Sequence, residues 1–123
     1  MSEKFYESLV ELEEARAALR KDPTNKLIQD ATCKRFEVAM EYAWKAMKKV
    51  AESDGIELYS PKDAIRAAAK LQLIDVPEVW ITFINARNFA VHDYFGIDSD
   101  EQTRLVDNFL KEGKQLAARL RVR

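Results

Sequence analysis

The segment Arg87-Asn88-Phe89-Ala90-Val91-His92-Asp93-Tyr94 holds the residue types in this chain best suited to chemistry. A guanidinium offers a planar fork of donors that matches phosphate oxygens. An imidazole titrates near neutral pH and moves a proton in either direction. Trp80, Ile84, Arg87 and Val91 recur at steps of four, three and four, so Arg87 lies on an otherwise apolar helical stripe. A guanidinium on such a face is costly unless it is paired or the face opens into a cleft. The neighbouring stripe, Ile81, Asn85, Asn88 and His92, turns from apolar to polar along the same helix. Five residues along an unbroken helix rotate by roughly 140°, which would point Arg87 and His92 apart. A break near Phe89 or Ala90, favoured by the poor helix formers Asn85 and Asn88, would let the two converge. So would a second copy of the chain. On residue types alone a structural role stands beside the chemical one, with Arg87 paired to a carboxylate such as Asp93 and His92 terminating the helix.

The elements that must position this segment read as helices throughout. Phe5, Leu9, Leu12, Ala15 and Leu19 recur at helical spacing from about Ser2 to Arg20, and Asp22-Pro23-Thr24-Asn25 breaks the pattern. A second helix is expected over Lys26 to Ser53, ended by Asp54-Gly55. Lys34, Glu37, Glu41, Lys45, Lys48 and Glu52 form one solvated stripe on it. The rest is largely apolar, wider than a peripheral helix needs, which predicts a central helix or one that meets a second chain. Ser60-Pro61-Lys62-Asp63 is a helix start, with Ser60 as N-cap and Ala64, Ile65, Ala68 and Leu71 on the buried side. A fourth helix begins near Asp75-Val76-Pro77-Glu78 and carries Trp80, Phe83 and Ile84 inward. A last helix, capped by Asp98 or Ser99, runs to about Arg121 with Val106, Phe109, Leu110, Leu116, Ala117 and Leu120 inside. Gly113 falls on that inner side, so a neighbouring helix is expected to come close there. No segment alternates like a strand, and the expected fold class is all-α.

At 123 residues the chain has the length of one domain, expected over residues 1–123. Apolar residues make up 47% and charged residues 33%, which is a globular balance. Lys and Arg (20) nearly cancel Asp and Glu (21), so bulk charge predicts neither a nucleic-acid coat nor a membrane-surface protein. An anionic ligand must then be held by a local arrangement. Cys33 is alone, which excludes an internal disulfide and fits a small buried residue. One histidine and one cysteine make no metal cage, and no glycine-rich loop cradles phosphate, so neither metal nor cofactor is expected. No apolar run nears the roughly 20 residues of a membrane span, and Met1-Ser2-Glu3-Lys4 opens no signal peptide. No membrane association and a cytoplasmic location are the expectation.

Arg35-Phe36-Glu37, Ala43-Trp44-Lys45, Ser60-Pro61, Trp80, and Arg87-Asn88-(three residues)-His92-Asp93-Tyr94, in that order, resemble the nucleotidyltransferase substrate-binding protein family of the HEPN superfamily. The likeness runs from about Asp30 to Tyr94. It implies a four-helix up-and-down bundle with an additional short helix, a homodimer, and as partner a minimal nucleotidyltransferase encoded nearby. In related toxins the motif is a metal-independent ribonuclease site, two copies of which meet at the dimer cleft. By that resemblance Arg87 and His92 are the catalytic pair, Asn88 and Asp93 support them, and Tyr94 is the residue the partner adenylylates or a substrate contact. The alternative is a non-catalytic subunit of a two-component nucleotidyltransferase, binding a nucleotide or the partner's substrate rather than cleaving RNA.

Other conspicuous residues read as structural. Trp44 and Trp80 sit within apolar stripes and are expected in the core. Glu37 and Glu41 fall on the solvated stripe and support pairing with Lys45. Arg35 is placed to reach a carboxylate of the bundle, and the basic residues of the last helix, Lys111, Lys114, Arg119, Arg121 and Arg123, read as a solvated face.

Overall fold

The computed structural model describes residues 3–93 and 99–123, with side chains described for residues 3–88 and 100–123. Its elements are five helices: α1 (Glu3–Lys21), α2 (Lys26–Ser53), α3 (Pro61–Lys70), α4 (Pro77–Asp93) and α5 (Ser99–Arg121). α1, α2, α4 and α5 form the up-and-down bundle and α3 is the additional short helix. No strand occurs among the described residues.

Local chemistry sets the helix ends. Asn25 caps α2 by accepting the Ile28 backbone N–H at 3.2 Å, while its amide nitrogen donates to Asp22 at 2.9 Å. At the other end Gly55 takes φ +81°, and the Ile56 N–H reaches back to the Ala51 carbonyl at 3.0 Å. Ser60 and Asp63 close a reciprocal cap on α3. The Ser60 hydroxyl accepts from the Asp63 N–H, and the Asp63 carboxylate accepts from the Tyr59 N–H, both at 3.1 Å. α3 ends with Gln72 in the left-handed region at φ 62°, a place where glycine is usual. Leu71 is there the half-buried C-cap rather than a fully buried residue, and Leu73 and Ile74 enter the core in its stead.

α2 is central, packing against α1, α3 and α4. Phe36, Ala39, Met40, Ala43 and Met47 are fully buried along it. An aromatic cluster joins three helices: Phe109 of α5 meets Phe36 of α2 at 5.2 Å, and Trp80 and Phe83 of α4 at 5.7 and 5.4 Å between ring centroids. All three contacts are edge-to-face, the arrangement the ring quadrupoles favour. Gly113 of α5 sits where a Cβ would come within 2.9 Å of Leu9 Cδ2, which is the close helix approach the sequence predicts.

The basic residues at the end of the chain are largely exposed, as expected, Lys111, Lys114, Arg121 and Arg123 among them, and several also find partners. Lys114 pairs with Glu13, Arg119 with Asp75 at 2.8 Å, Arg123 with Asp54 at 2.6 Å, and the Arg121 guanidinium lies 4.2 Å from the Tyr6 ring centroid. Hydrogen bonding from Arg119 holds the Asp75 carboxyl below its ordinary value. Arg16 adds a two-pronged bond to Asp107 at 2.8 and 3.2 Å, joining α1 to α5. Lys114, Arg119 and Arg123 thus tie this solvated face to other parts of the bundle.

Cys33 is buried, as expected. Burial, reinforced by Glu37 and Asp30, pushes its thiol from 9.0 up to about 12. A thiol whose folded-state value is raised favours folding while it stays protonated. That contribution is complete below pH 9.0 and is lost as pH rises toward about 12. A thiol reagent at about pH 8 should label native protein up to about 10³-fold more slowly than urea-unfolded protein, in proportion to thiolate. Equal labelling rates would contradict the buried placement.

Candidate functional site

α4 brings Arg87 against the middle of α2. The first turns of α4 are anchored by Trp80, Phe83 and Ile84, each 3% exposed or less, and Arg87 follows Ile84 on the same inward stripe. The guanidinium pairs with Glu41 of α2, Nη2 lying 3.1 Å from Oε2. Asp93, the carboxylate that sequence spacing offered, has its side chain outside those described.

Glu41 is the hub of this arrangement. The same Oε2 accepts the Trp44 indole N–H at 3.1 Å, while Lys45 approaches Oε1 at 3.5 Å. Trp44 is consequently half-buried with a polar tether, rather than wholly in the core as Trp80 is. The Arg87–Glu41 contact uses only one arm of the guanidinium fork, and the Arg87 Nε–H is buried without an acceptor among the described residues. A buried donor left unpaired costs about 1–3 kcal/mol. Beside the pair opens a cleft of about 570 Å³ lined by Lys34, Glu37, Val38, Glu41, Tyr42, Lys45 and Arg87. Among the described residues three cations face two carboxylates there, a local charge of +1.

The remaining predicted residues fall out as follows. Asn88 is exposed on α4, next to Arg87. Positions 92 and 93 form the last turn of α4, and their side chains lie outside those described. Tyr94 lies outside the described residues, as does Asp98, one of the two caps proposed for α5. α4 does not stop near Phe89 or Ala90 but runs on to Asp93. Each asparagine costs about 0.7 kcal/mol of helix propensity at most, too little to stop a helix whose preceding turns are anchored in the core. Positions 87 and 92 therefore sit on one continuous helix, turned apart by roughly 140°. Among the described residues no three His, Cys, Asp or Glu side chains converge as a metal would require. Nor is any helix there long and apolar enough to cross a membrane. Arg35 behaves as expected, donating to the Glu11 carbonyl at 2.8 Å and lying 3.9 Å from Glu14.

Glu41 is the residue that sequence reasoning assigned to solvent. A signal was present: Trp44 and Lys45 follow it by three and four residues, so an indole donor and an ammonium share its face of α2.

Helices in this order, with an arginine held over a cleft between the second and fourth, define an up-and-down helical-bundle protein with a candidate anion site. The chain belongs to the nucleotidyltransferase substrate binding protein like family, whose profile matches residues 2–122. A Haemophilus influenzae protein, the probable ribonuclease HepT, is 28% identical over 111 residues, covering 83% of this chain and 76% of that protein. The Shewanella oneidensis HEPN toxin, solved tri-AMPylated in complex with its MNT antitoxin, has a TM-score of 0.85. That match is at 15% identity over 99% of this chain and 94% of the toxin. HI0074 of Haemophilus influenzae, whose structure revealed the fold of a substrate binding domain of a nucleotidyltransferase, has a TM-score of 0.82 at 24% identity. It covers 98% of this chain and 99% of its own. At such identities the structural likeness shows the shared fold.

Proposed function

We propose that this chain is the HEPN-type companion of a minimal nucleotidyltransferase, acting in the cytoplasm as a metal-independent ribonuclease that the partner silences by adenylylating Tyr94. The observation that carries the reading is Arg87, an inward guanidinium held by one arm only, with a cleft of net positive charge beside it. That is the arrangement a phosphate-binding arginine needs. In the reaction the ribose 2′-oxygen bonds the adjacent phosphorus as the bond to the 5′-oxygen breaks, leaving a 2′,3′-cyclic phosphate and a 5′-hydroxyl. One His92 takes the 2′-hydroxyl proton, a second supplies the proton to the leaving oxygen, and Arg87 stabilises the charge that builds on phosphorus. Asn88 and Asp93 orient the pair. The continuity of α4 supports drawing the site from two chains, because positions 87 and 92 of one chain face different ways. The relatives support the reading too, one being a probable ribonuclease and another a toxin found with its antitoxin.

A non-catalytic role in binding a nucleotide is favoured by one feature, the near balance of charge in the cleft, which suits a single nucleotide better than a polyanion. Adenylylation separates the two readings. The Tyr94 phenol would lose its proton and bond the α-phosphorus of ATP as pyrophosphate leaves. Co-expression with the neighbouring nucleotidyltransferase and ATP, followed by intact-mass and peptide analysis, should show adenylyl addition at Tyr94 that Tyr94→Phe removes. An unmodified Tyr94 in a complex that still turns over ATP would overturn the toxin reading.

A further inference from the structure

We infer that Glu41 is the positioning residue for Arg87, a shared carboxylate that fixes the guanidinium at the cleft wall while leaving most of its donors to a phosphate ligand. The inference rests on the reading of Arg87 as the phosphate-binding group. Three donors converge on Glu41: Arg87 Nη2 and Trp44 Nε1 on one oxygen, each at 3.1 Å, and Lys45 Nζ on the other at 3.5 Å. A guanidinium on a long side chain has many rotamers, and Glu41 selects one of them. Trp44 in turn selects the rotamer of Glu41, because the indole is packed against the core and its N–H has one direction to point. Rigid core, indole, carboxylate and guanidinium thus form a chain in which each member orients the next.

The stoichiometry of the bonds matters as much as their presence. A full fork would occupy Nε and Nη2 together and saturate the side of the guanidinium that best matches a phosphate. Here Glu41 divides its oxygens between Lys45 and the Arg87–Trp44 pair, so the fork is never completed. Arg87 is held in place by one arm, and its buried Nε–H, which has no acceptor among the described residues, is not spent on Glu41. An anion entering the cleft between Lys34, Lys45 and Arg87 would find the arginine already aimed, with the reorganisation done in advance.

The test uses the full-length protein and three variants, Glu41→Gln, Glu41→Ala and Trp44→Phe. Arginine-selective ¹⁵N NMR reads the order of the Arg87 side chain directly, with Arg87→Lys assigning the resonance. Cleavage of a mixed-sequence single-stranded RNA oligonucleotide, resolved into kcat and KM, reads its consequence. Wild type should show a slowly exchanging Arg87 Nε–H that becomes averaged in both Glu41 variants. Misplacing one group by about an ångström costs on the order of 10²-fold in rate, so kcat should fall by about that factor in Glu41→Ala, with KM changed much less. Trp44→Phe should fall between these and wild type. An Arg87 resonance unchanged in Glu41→Ala, or a kcat within about threefold of wild type, would overturn the inference. A merely structural Glu41 would lower the melting temperature without altering the resonance, and that too would overturn it. If wild type cleaves no RNA while the resonance still depends on Glu41, the ribonuclease reading fails and the positioning role stands.

Discussion

A His92→Ala chain should cleave RNA about 10²- to 10⁴-fold more slowly than wild type, the usual worth of a positioned general acid or base. Position 92 lies one residue from the described end of α4, beyond the turns that carry Trp80, Phe83 and Ile84 into the core. The melting temperature should therefore stay close to that of wild type. Chelators should leave the wild-type rate unchanged, because the chemistry asked of His92 and Arg87 is proton transfer and charge stabilisation. Mixing His92→Ala with Arg87→Ala supplies a sharper check on the two-chain site. If each active centre combines Arg87 of one chain with His92 of the other, mixed dimers regain one intact set. If mixing restores nothing although subunits exchange, the centre is not shared in that way. Wild-type rates in the His92→Ala chain would sink the ribonuclease reading altogether.

Phe109→Ala should be the most damaging single substitution to stability, at about 3–5 kcal/mol. Phe109 is wholly buried and is the one ring common to the contacts with Phe36, Trp80 and Phe83. Removing it takes away three edge-to-face contacts and leaves a cavity between α5 and rings anchored on two other helices, α2 and α4, which cannot all close in on it. A domain of this size has about 5–15 kcal/mol in total, so the loss is a large fraction of it. Chemical denaturation should show the midpoint fall with little change in slope. Phe109→Leu, which keeps most of the volume, should cost much less. A midpoint unchanged by Phe109→Ala would mean that α5 is held chiefly by its ion pairs to Asp54, Asp75 and Glu13.

Most of the fold was legible because helix-forming patterns in this chain are local. The apolar residues expected on α1 are all buried, Ser60 caps α3 as its pattern implied, and Gly113 meets Leu9 as its place on the inner stripe implied. The length of α4 was misjudged for the opposite reason. Asn85 and Asn88 argue for an early end by propensity, but the packing of the preceding turns outweighs fractions of a kcal/mol. The basic run at the end of the chain is exposed as its pattern implied, but its ion-pair partners Glu13, Asp54 and Asp75 were not legible, since they come from α1 and from the segments that follow α2 and α3.

The amino-acid sequence by itself determined that this is an all-α bundle and that Arg87 is the inward-facing cation of its fourth helix. Periodicity reports which face of a helix is buried, and that information is carried within each helix. Only the tertiary structure decided what Arg87 meets. Glu41 and Arg87 are 46 residues apart, and nothing in the order of the chain couples them. The crossing of α2 and α4 brings them within 3.1 Å, and Trp44 then decides how the carboxylate is shared. A solvated-looking acid thereby becomes the group that aims the arginine, because a pairing of this kind is a property of two helices in contact.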